Sequence, residues 1–113
     1  MTEKRSLRLR EEAVTVEAED GHERRFTIRE LDGAGRAIAV EATRERLVVN
    51  GEHVTVRDAG GLALVVLGLA LRDESGNLLA KDVLAKWPGS LVDEWARIAS
   101  RISRLPMASE GND

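Results

Sequence analysis

Apolar and polar residues alternate along the first part of the chain. Five apolar residues near the start are mostly separated by one intervening residue: Leu7, Leu9, Val14, Val16 and Ala18. Asp20-Gly21 interrupts this pattern, after which Phe26 and Ile28 alternate with polar neighbours. Alternation with a period of two on both sides of an Asp-Gly pair predicts a β-hairpin, with strands over about residues 8–18 and 23–30.

The segment from Leu31 to Leu47 allows two interpretations. Asp32 could cap a helix, whereas Ile38 and Val40 could equally alternate in a strand. Two glycines near the start of the segment weaken the helical interpretation, because glycine is a poor helix former. We favour the helix.

An almost wholly apolar segment follows a second turn signal. Asn50-Gly51 lies between β-branched residues, which predicts a small hairpin or an extended loop over residues 48–57. From Leu62 to Leu71 the residues are apolar on every side, so a buried helix is predicted there, with Asp58 as its cap. Such a helix needs partners all round, and another copy or another protein could cover part of it.

The pattern then predicts a turn and a short helix. Asp73–Asn77 has the composition of a turn. Residues 80–87 form a predicted short helix that a proline ends. Val83, Leu84 and Trp87 are predicted to share one face of that helix.

The last helix has the clearest amphipathic pattern. Ser90 is predicted to cap it, with Asp93 three residues further on as in a capping box. Its apolar residues form a single stripe: Leu91, Val92, Trp95, Ile98, Ala99, Ile102 and Leu105. Pro106 is predicted to end the helix, and residues 106–113 to form a polar tail.

These elements predict a single domain with an α+β fold. The chain has 113 residues, which is enough for one hydrophobic core but not for two. The predicted order is a β-hairpin over 7–31, a helix and a variable loop or hairpin over 32–58, a helical region over 59–105 and a polar tail over 106–113.

Composition narrows the classes of function. Hydrophobic residues make up 42% of the chain and charged residues 33%, which is typical of a globular protein. Aromatic residues make up only 3%, and the net charge of −3 comes without a basic patch, so nucleic-acid binding is not expected. The apolar run is too short for a membrane span, and the N-terminal residues lack the apolar stretch of a secretory signal. A cytoplasmic protein without membrane partners is expected.

The residues that could carry chemistry are isolated from one another. His22 and His53 each lack a second ligand at metal-binding spacing, and no serine lies in a nucleophile elbow. Asp73–Asn77 is far shorter than an EF-hand loop. We therefore expect no enzymatic activity, no metal site and no cofactor.

Three segments carry a family resemblance. Arg29–Gly33 reads R-E-L-D-G after the predicted hairpin, and Leu69–Asn77 leads from the apolar helix into the sequence D-E-S-G-N. Ser90–Leu105 forms a final amphipathic helix. In these features the chain resembles the tail assembly chaperones of long-tailed bacteriophages and related prophages.

The resemblance implies a non-enzymatic helper in the cytoplasm of the bacterial host. Proteins of this family bind the tape measure protein, which is long, helical and prone to aggregate, and keep it soluble. They also help the tail tube protein to polymerise around it, and they are absent from the finished particle. The implied partners are therefore the tape measure protein and the tail tube protein, with self-association as a further expectation.

Four residues are predicted to bind the partner, because surplus apolar surface is expected between Leu62 and Trp87: Val66, Leu69, Leu84 and Trp87. Trp87 lies beside a proline and suits a contact surface, whereas Trp95 lies centrally in the last helix and suits the core. The alternative function is a structural virion component, such as a neck, connector or tail-completion protein, whose hairpins pair edge to edge in a ring.

Overall fold

A computed structural model describes residues 6–105 and has the predicted α+β fold. Its N-terminal part is a β-hairpin, and its C-terminal half is mainly helical. In chain order the elements are β1 (Glu11–Glu17), β2 (Glu23–Arg29), α1 (Gly33–Glu45), β3 (Leu47–Asn50), β4 (His53–Val56), α2 (Ala59–Ala70), β5 (Leu71–Arg72), α3 (Lys81–Leu84) and α4 (Gly89–Ile102).

The predicted N-terminal hairpin is confirmed and forms part of a three-stranded antiparallel sheet. The strand order is β1-β2-β5, so β2 lies in the centre. Gly21 takes φ 84° in the turn, a conformation that glycine adopts without a steric penalty. Phe26 and Ile28 are buried beneath the helices, and Val14 pairs with Phe26 from the neighbouring strand. The period of two therefore places one face of the sheet against the core.

The ambiguous segment after the hairpin is helix α1. Asp32 is its N-cap, and the carboxylate Oδ1 accepts a hydrogen bond from the Gly35 backbone N–H at 2.8 Å. A Cβ on Gly35 would lie 3.3 Å from that same oxygen, so the glycine permits the close approach of the cap. Ala39 and Ala42 are buried and lie on the face of α1 that packs against the core.

Helix α2 occupies the centre of the domain, as its apolar sequence predicted. Asp58 caps it by accepting a hydrogen bond from the Gly61 N–H at 3.1 Å. Leu67 and Ala70 have no exposed area, and every residue from 61 to 70 is buried or half-buried. Helices α1, α3 and α4 and strand β2 all pack against α2. Neighbours within the chain therefore provide partners for this apolar helix.

The short helix α3 differs from its prediction. It comprises Lys81–Leu84 instead of residues 80–87, because a tighter turn follows in which the Trp87 N–H donates to the Leu84 carbonyl at 3.1 Å. Leu84 is fully buried, whereas 45% of Val83 is exposed. Adjacent residues point about 100° apart around a helix, so in a single turn these two cannot share a face.

The predicted Ser90 cap of the last helix is wrong. The N-cap is Pro88, two residues earlier, and helix α4 begins at Gly89. The Pro88 backbone is extended, with ψ 131°, and its carbonyl accepts from the N–H groups of Leu91 and Val92 at 3.1 Å each. Ser90 consequently lies inside the first turn and is exposed.

The apolar stripe of α4 is confirmed. Val92, Trp95 and Ala99 are buried, and the other predicted stripe residues are half-buried against the core. The helix ends at Ile102. The predicted stop at Pro106 and the polar tail over 106–113 lie outside the described residues.

A buried serine joins the end of α4 to the start of α1. Ser103 is 6% exposed, and its Oγ accepts a hydrogen bond from the Leu31 N–H at 2.9 Å. The Arg36 guanidinium donates to the carbonyl of Ser103 at 2.8 Å and to that of Arg104 at 3.0 Å. These bonds hold the C-terminus of α4 beside the junction of β2 and α1.

We expect Ser103→Ala to lower the free energy of unfolding by about 1–3 kcal/mol, because it leaves the buried Leu31 N–H without an acceptor. Urea unfolding checks this value. Ser90→Ala, at the other end of the same helix, is the matched control, and it should change stability by less than about 0.5 kcal/mol because Ser90 is exposed. Equal unfolding midpoints for the two variants would contradict this role of Ser103.

Candidate functional site

The three aromatic residues of the chain form one cluster. The ring centroid of Phe26 lies 5.3 Å from that of Trp87 and 5.7 Å from that of Trp95. The two tryptophans are 5.8 Å apart in an edge-to-face arrangement. Trp95 is buried, as predicted, and Trp87 is half-buried at the margin of the same cluster. Trp87 therefore contributes to the core that joins β2 to α4.

The four residues predicted to bind a partner do not form one exposed surface. Leu84 is fully buried and Val66 is 4% exposed, so both belong to the core. Leu69 and Trp87 are half-buried and pack against that core. The prediction located surplus apolar surface on α2 and α3, but the fold covers most of it.

Four of the eight exposed large apolar residues in the described part of the chain lie on the second hairpin. The sequence predicted a small hairpin or an extended loop for this segment, and its two faces were not compared. Leu47 pairs with Val56, and Val49 pairs with Val54. Cross-strand partners point to the same side of a hairpin, so these four residues share one face, which we call the aliphatic face. The opposite face carries Val48 with Thr55 and Asn50 with His53.

The aliphatic face is accessible along most of its length. The exposed fractions are 39% for Leu47, 70% for Val49 and 39% for Val54, while Val56 is half-buried. Gly51 takes φ 64° at the first position of a two-residue turn, where glycine is favoured. That turn fixes the register, and the register determines which residues share the face.

A groove continues the aliphatic face into the body of the domain. It lies between α1 and α4, over the part of α2 from Ala59 to Val66, and has a volume of about 570 Å³. Its lining is mostly aliphatic or small: Ala39, Val40, Thr43, Arg44, Leu47, Val56, Ala59, Gly60, Leu62, Ala63, Val66, Asp93, Ala96, Arg97, Ser100 and Leu105. Leu47 and Val56 belong to both the groove and the aliphatic face, so the two form one continuous apolar surface.

Polar contacts hold the base of the hairpin beside this groove. The Arg57 guanidinium donates to the Glu45 carbonyl at 3.0 Å, and the Arg57 N–H donates to the Arg46 carbonyl at 2.8 Å. A guanidinium nitrogen of Arg46 lies 3.6 Å from a carboxylate oxygen of Asp58, the residue that caps α2. Only 17% of the Arg46 side chain is exposed. These contacts set the angle at which the hairpin leaves α1 and α2.

The candidate residues for acid–base or metal chemistry remain apart. His22 and His53 are exposed in different hairpins, and within residues 6–105 no three potential metal ligands come together. The His22 backbone N–H donates to Asp20 and, with a smaller effect from the His22 side chain, holds the pKa of Asp20 below its usual value. This pair is solvent-exposed at a turn, and neither residue lines the groove.

No protein-family model, curated protein or solved structure matches this chain. Over the part of the chain that the structure describes, no helix has the length and apolar character needed to cross a membrane. The apolar groove and the aliphatic face of the second hairpin are therefore the features from which a function can be argued.

Proposed function

We propose that this protein is a non-enzymatic tail assembly chaperone of a long-tailed bacteriophage or prophage. It binds the tape measure protein, keeps it soluble and promotes polymerisation of the tail tube protein around it. The observation that carries the proposal is the continuous apolar surface formed by the groove and the aliphatic face. We assign client binding to this surface, which includes Val66 of the four residues predicted from the sequence but not Leu69, Leu84 or Trp87.

An exposed aliphatic surface of this kind favours a binding partner. Apolar burial contributes about 25 cal/mol per Å² of surface removed from water, so a partner that covers Val49 and Val54 gains free energy. An isolated two-stranded hairpin is marginally stable in water, and a partner on its apolar face would add packing that the two strands cannot provide alone. Grooves between helices commonly receive the apolar face of an amphipathic helix. A long helical client such as a tape measure protein supplies such faces.

The family motifs occupy defined places in the fold. Arg29–Gly33 runs from the last residue of β2 to the first residue of α1. In the second motif, the Asp73 carboxylate accepts from the N–H groups of Ser75 at 2.9 Å and Asn77 at 3.0 Å, while Gly76 takes φ 84°. These hydrogen bonds within a turn give Asp73 a structural explanation that needs no bound cation. Both motifs support the proposal through the resemblance described above.

Co-expression with the tape measure protein of the same phage tests the proposal. We expect the tape measure protein to be insoluble when expressed alone and soluble, in a specific complex, when this protein is present. A variant of this chain that fails to fold, such as Leu67→Asp, is the control for effects of expression alone, because Leu67 is fully buried. If the tape measure protein stayed insoluble with the wild-type chain, the proposed function would be rejected.

The second candidate, a structural virion component, has one observation in its favour. Within residues 6–105, β1 pairs only with β2, and β3 pairs only with β4, so each leaves one edge open to another strand. Edge pairing between copies could build a ring. Protein analysis of purified virions separates the two candidates: the chaperone is expected to be absent, whereas a ring component is present in several copies per particle.

A further inference from the structure

We propose that the groove receives an amphipathic α-helix whose apolar stripe has carboxylates on both flanks. This inference rests on the proposed function, because it specifies the chemistry of the client segment that occupies the same site. Three properties of the groove carry it: the small residues of its lining, its length, and the charges on its two walls.

The groove is lined by small residues from the three helices that form it: Ala39 on α1, Ala59, Gly60 and Ala63 on α2, and Ala96 on α4. A Cβ built at Gly60 would meet nothing within 4 Å, so the space above this turn is open. Helix axes pack 8–10 Å apart depending on the side chains between them, and small residues permit the shorter separation. The groove therefore has room for a helix backbone that approaches closely.

The length of the groove matches about two turns of a helix. Its lining residues extend from Ala59 to Val66 on α2, a rise of about 10 Å at 1.5 Å per residue. On α4 they extend over the same number of residues, from Asp93 to Ser100. A bound helix would contact the groove through residues spaced i, i+3 or i+4, and i+7. Val49 extends the apolar surface by two strand residues beyond Leu47, about 7 Å further.

Each wall of the groove carries one arginine near its rim. Arg44 lies on α1 and Arg97 on α4, and both are exposed. Arg44 contacts only Glu41, at 3.2 Å, in a pair whose side chains are both more than half exposed. Among the described residues, no carboxylate lies within ion-pair distance of Arg97. Asp93, the single acidic residue of the lining, shares the α4 wall with Arg97, so the lining has two positive charges and one negative charge. This net positive charge favours carboxylates beside Arg44 and Arg97 on the two flanks of the occupant.

Fluorescence anisotropy with the full chain and two designed peptides tests this inference. Both peptides are amphipathic helices of about 18 residues with the same apolar stripe, and their flanks carry either glutamate or lysine. We expect the glutamate peptide to bind about tenfold more tightly than the lysine peptide. Its carboxylates attract the two exposed arginines, whereas the ammonium groups of the lysine peptide are repelled by them. The preference should shrink in high salt, because ions screen exposed charges.

Charge reversal on the protein completes the test. The double variant R44E/R97E should prefer the lysine peptide, whereas R8E/K86E, which makes the same change in net charge away from the groove, should retain the glutamate preference. Equal binding of the two peptides to the wild-type chain, or an equal shift in both double variants, would overturn the inference. If only the inference is wrong, the two peptides bind equally but the tape measure protein is still soluble on co-expression. If only the proposed function is wrong, the tape measure protein stays insoluble but the glutamate peptide is still preferred.

Discussion

Trp95→Ala is expected to lower the free energy of unfolding by about 3–5 kcal/mol. Trp95 is 3% exposed and packs against Phe26 and Trp87, so its removal leaves a cavity where β2 and α4 meet. Domains of this size have a total stability of about 5–15 kcal/mol, which makes this loss a large part of the whole. Urea unfolding followed by far-ultraviolet circular dichroism measures it without relying on tryptophan fluorescence.

Trp87→Ala provides the matched comparison for this prediction. Trp87 belongs to the same cluster but is half-buried, so less apolar surface is lost and water can reach part of the space that it leaves. We expect a smaller loss of stability than for Trp95→Ala. If the two variants unfolded at the same urea concentration, the placement of Trp95 in the core and Trp87 at its margin would be contradicted.

Local signals in the sequence were sufficient for most of the fold. The Asp-Gly pair at Gly21 identified the first hairpin, and Asp58 marked the start of α2, because turns and caps depend on a few neighbouring residues. Asp32 favoured a helix over the strand that the sequence also allowed, and the structure has the helix. The apolar stripe of α4 was equally clear. The Ser90 cap was wrong because Pro88, which also ends the preceding segment, can begin a helix with its own carbonyl.

The candidate site was harder to predict, because it depends on which apolar surfaces other elements cover. The sequence of α2 is more apolar than that of the second hairpin, yet the fold covers most of α2 and leaves the hairpin exposed. The Asn50-Gly51 turn already implied that Leu47, Val49, Val54 and Val56 share a face. Whether that face is exposed depends on the placement of α1 and α2, which no local pattern specifies.

The second large effect, which the proposed chaperone function predicts, is loss of tape measure protein binding by the double variant V49K/V54E. The two residues are cross-strand partners on the aliphatic face, so the opposite charges preserve hairpin pairing and leave the net charge unchanged. Binding would lose the burial of two valines and would bring two charges into an apolar interface. Together these changes should weaken binding by at least about 3 kcal/mol, or about 100-fold.

The double variant V48K/T55E is the matched control, because it places the same charges on the opposite face of the same hairpin. Circular dichroism first establishes that both variants are folded. The deciding measurement is the amount of tape measure protein that co-purifies with each tagged variant after co-expression. We predict that V49K/V54E retains almost none and that V48K/T55E retains as much as the wild-type chain. Equal retention by the two folded variants, whether high or low, would contradict client binding through the aliphatic face.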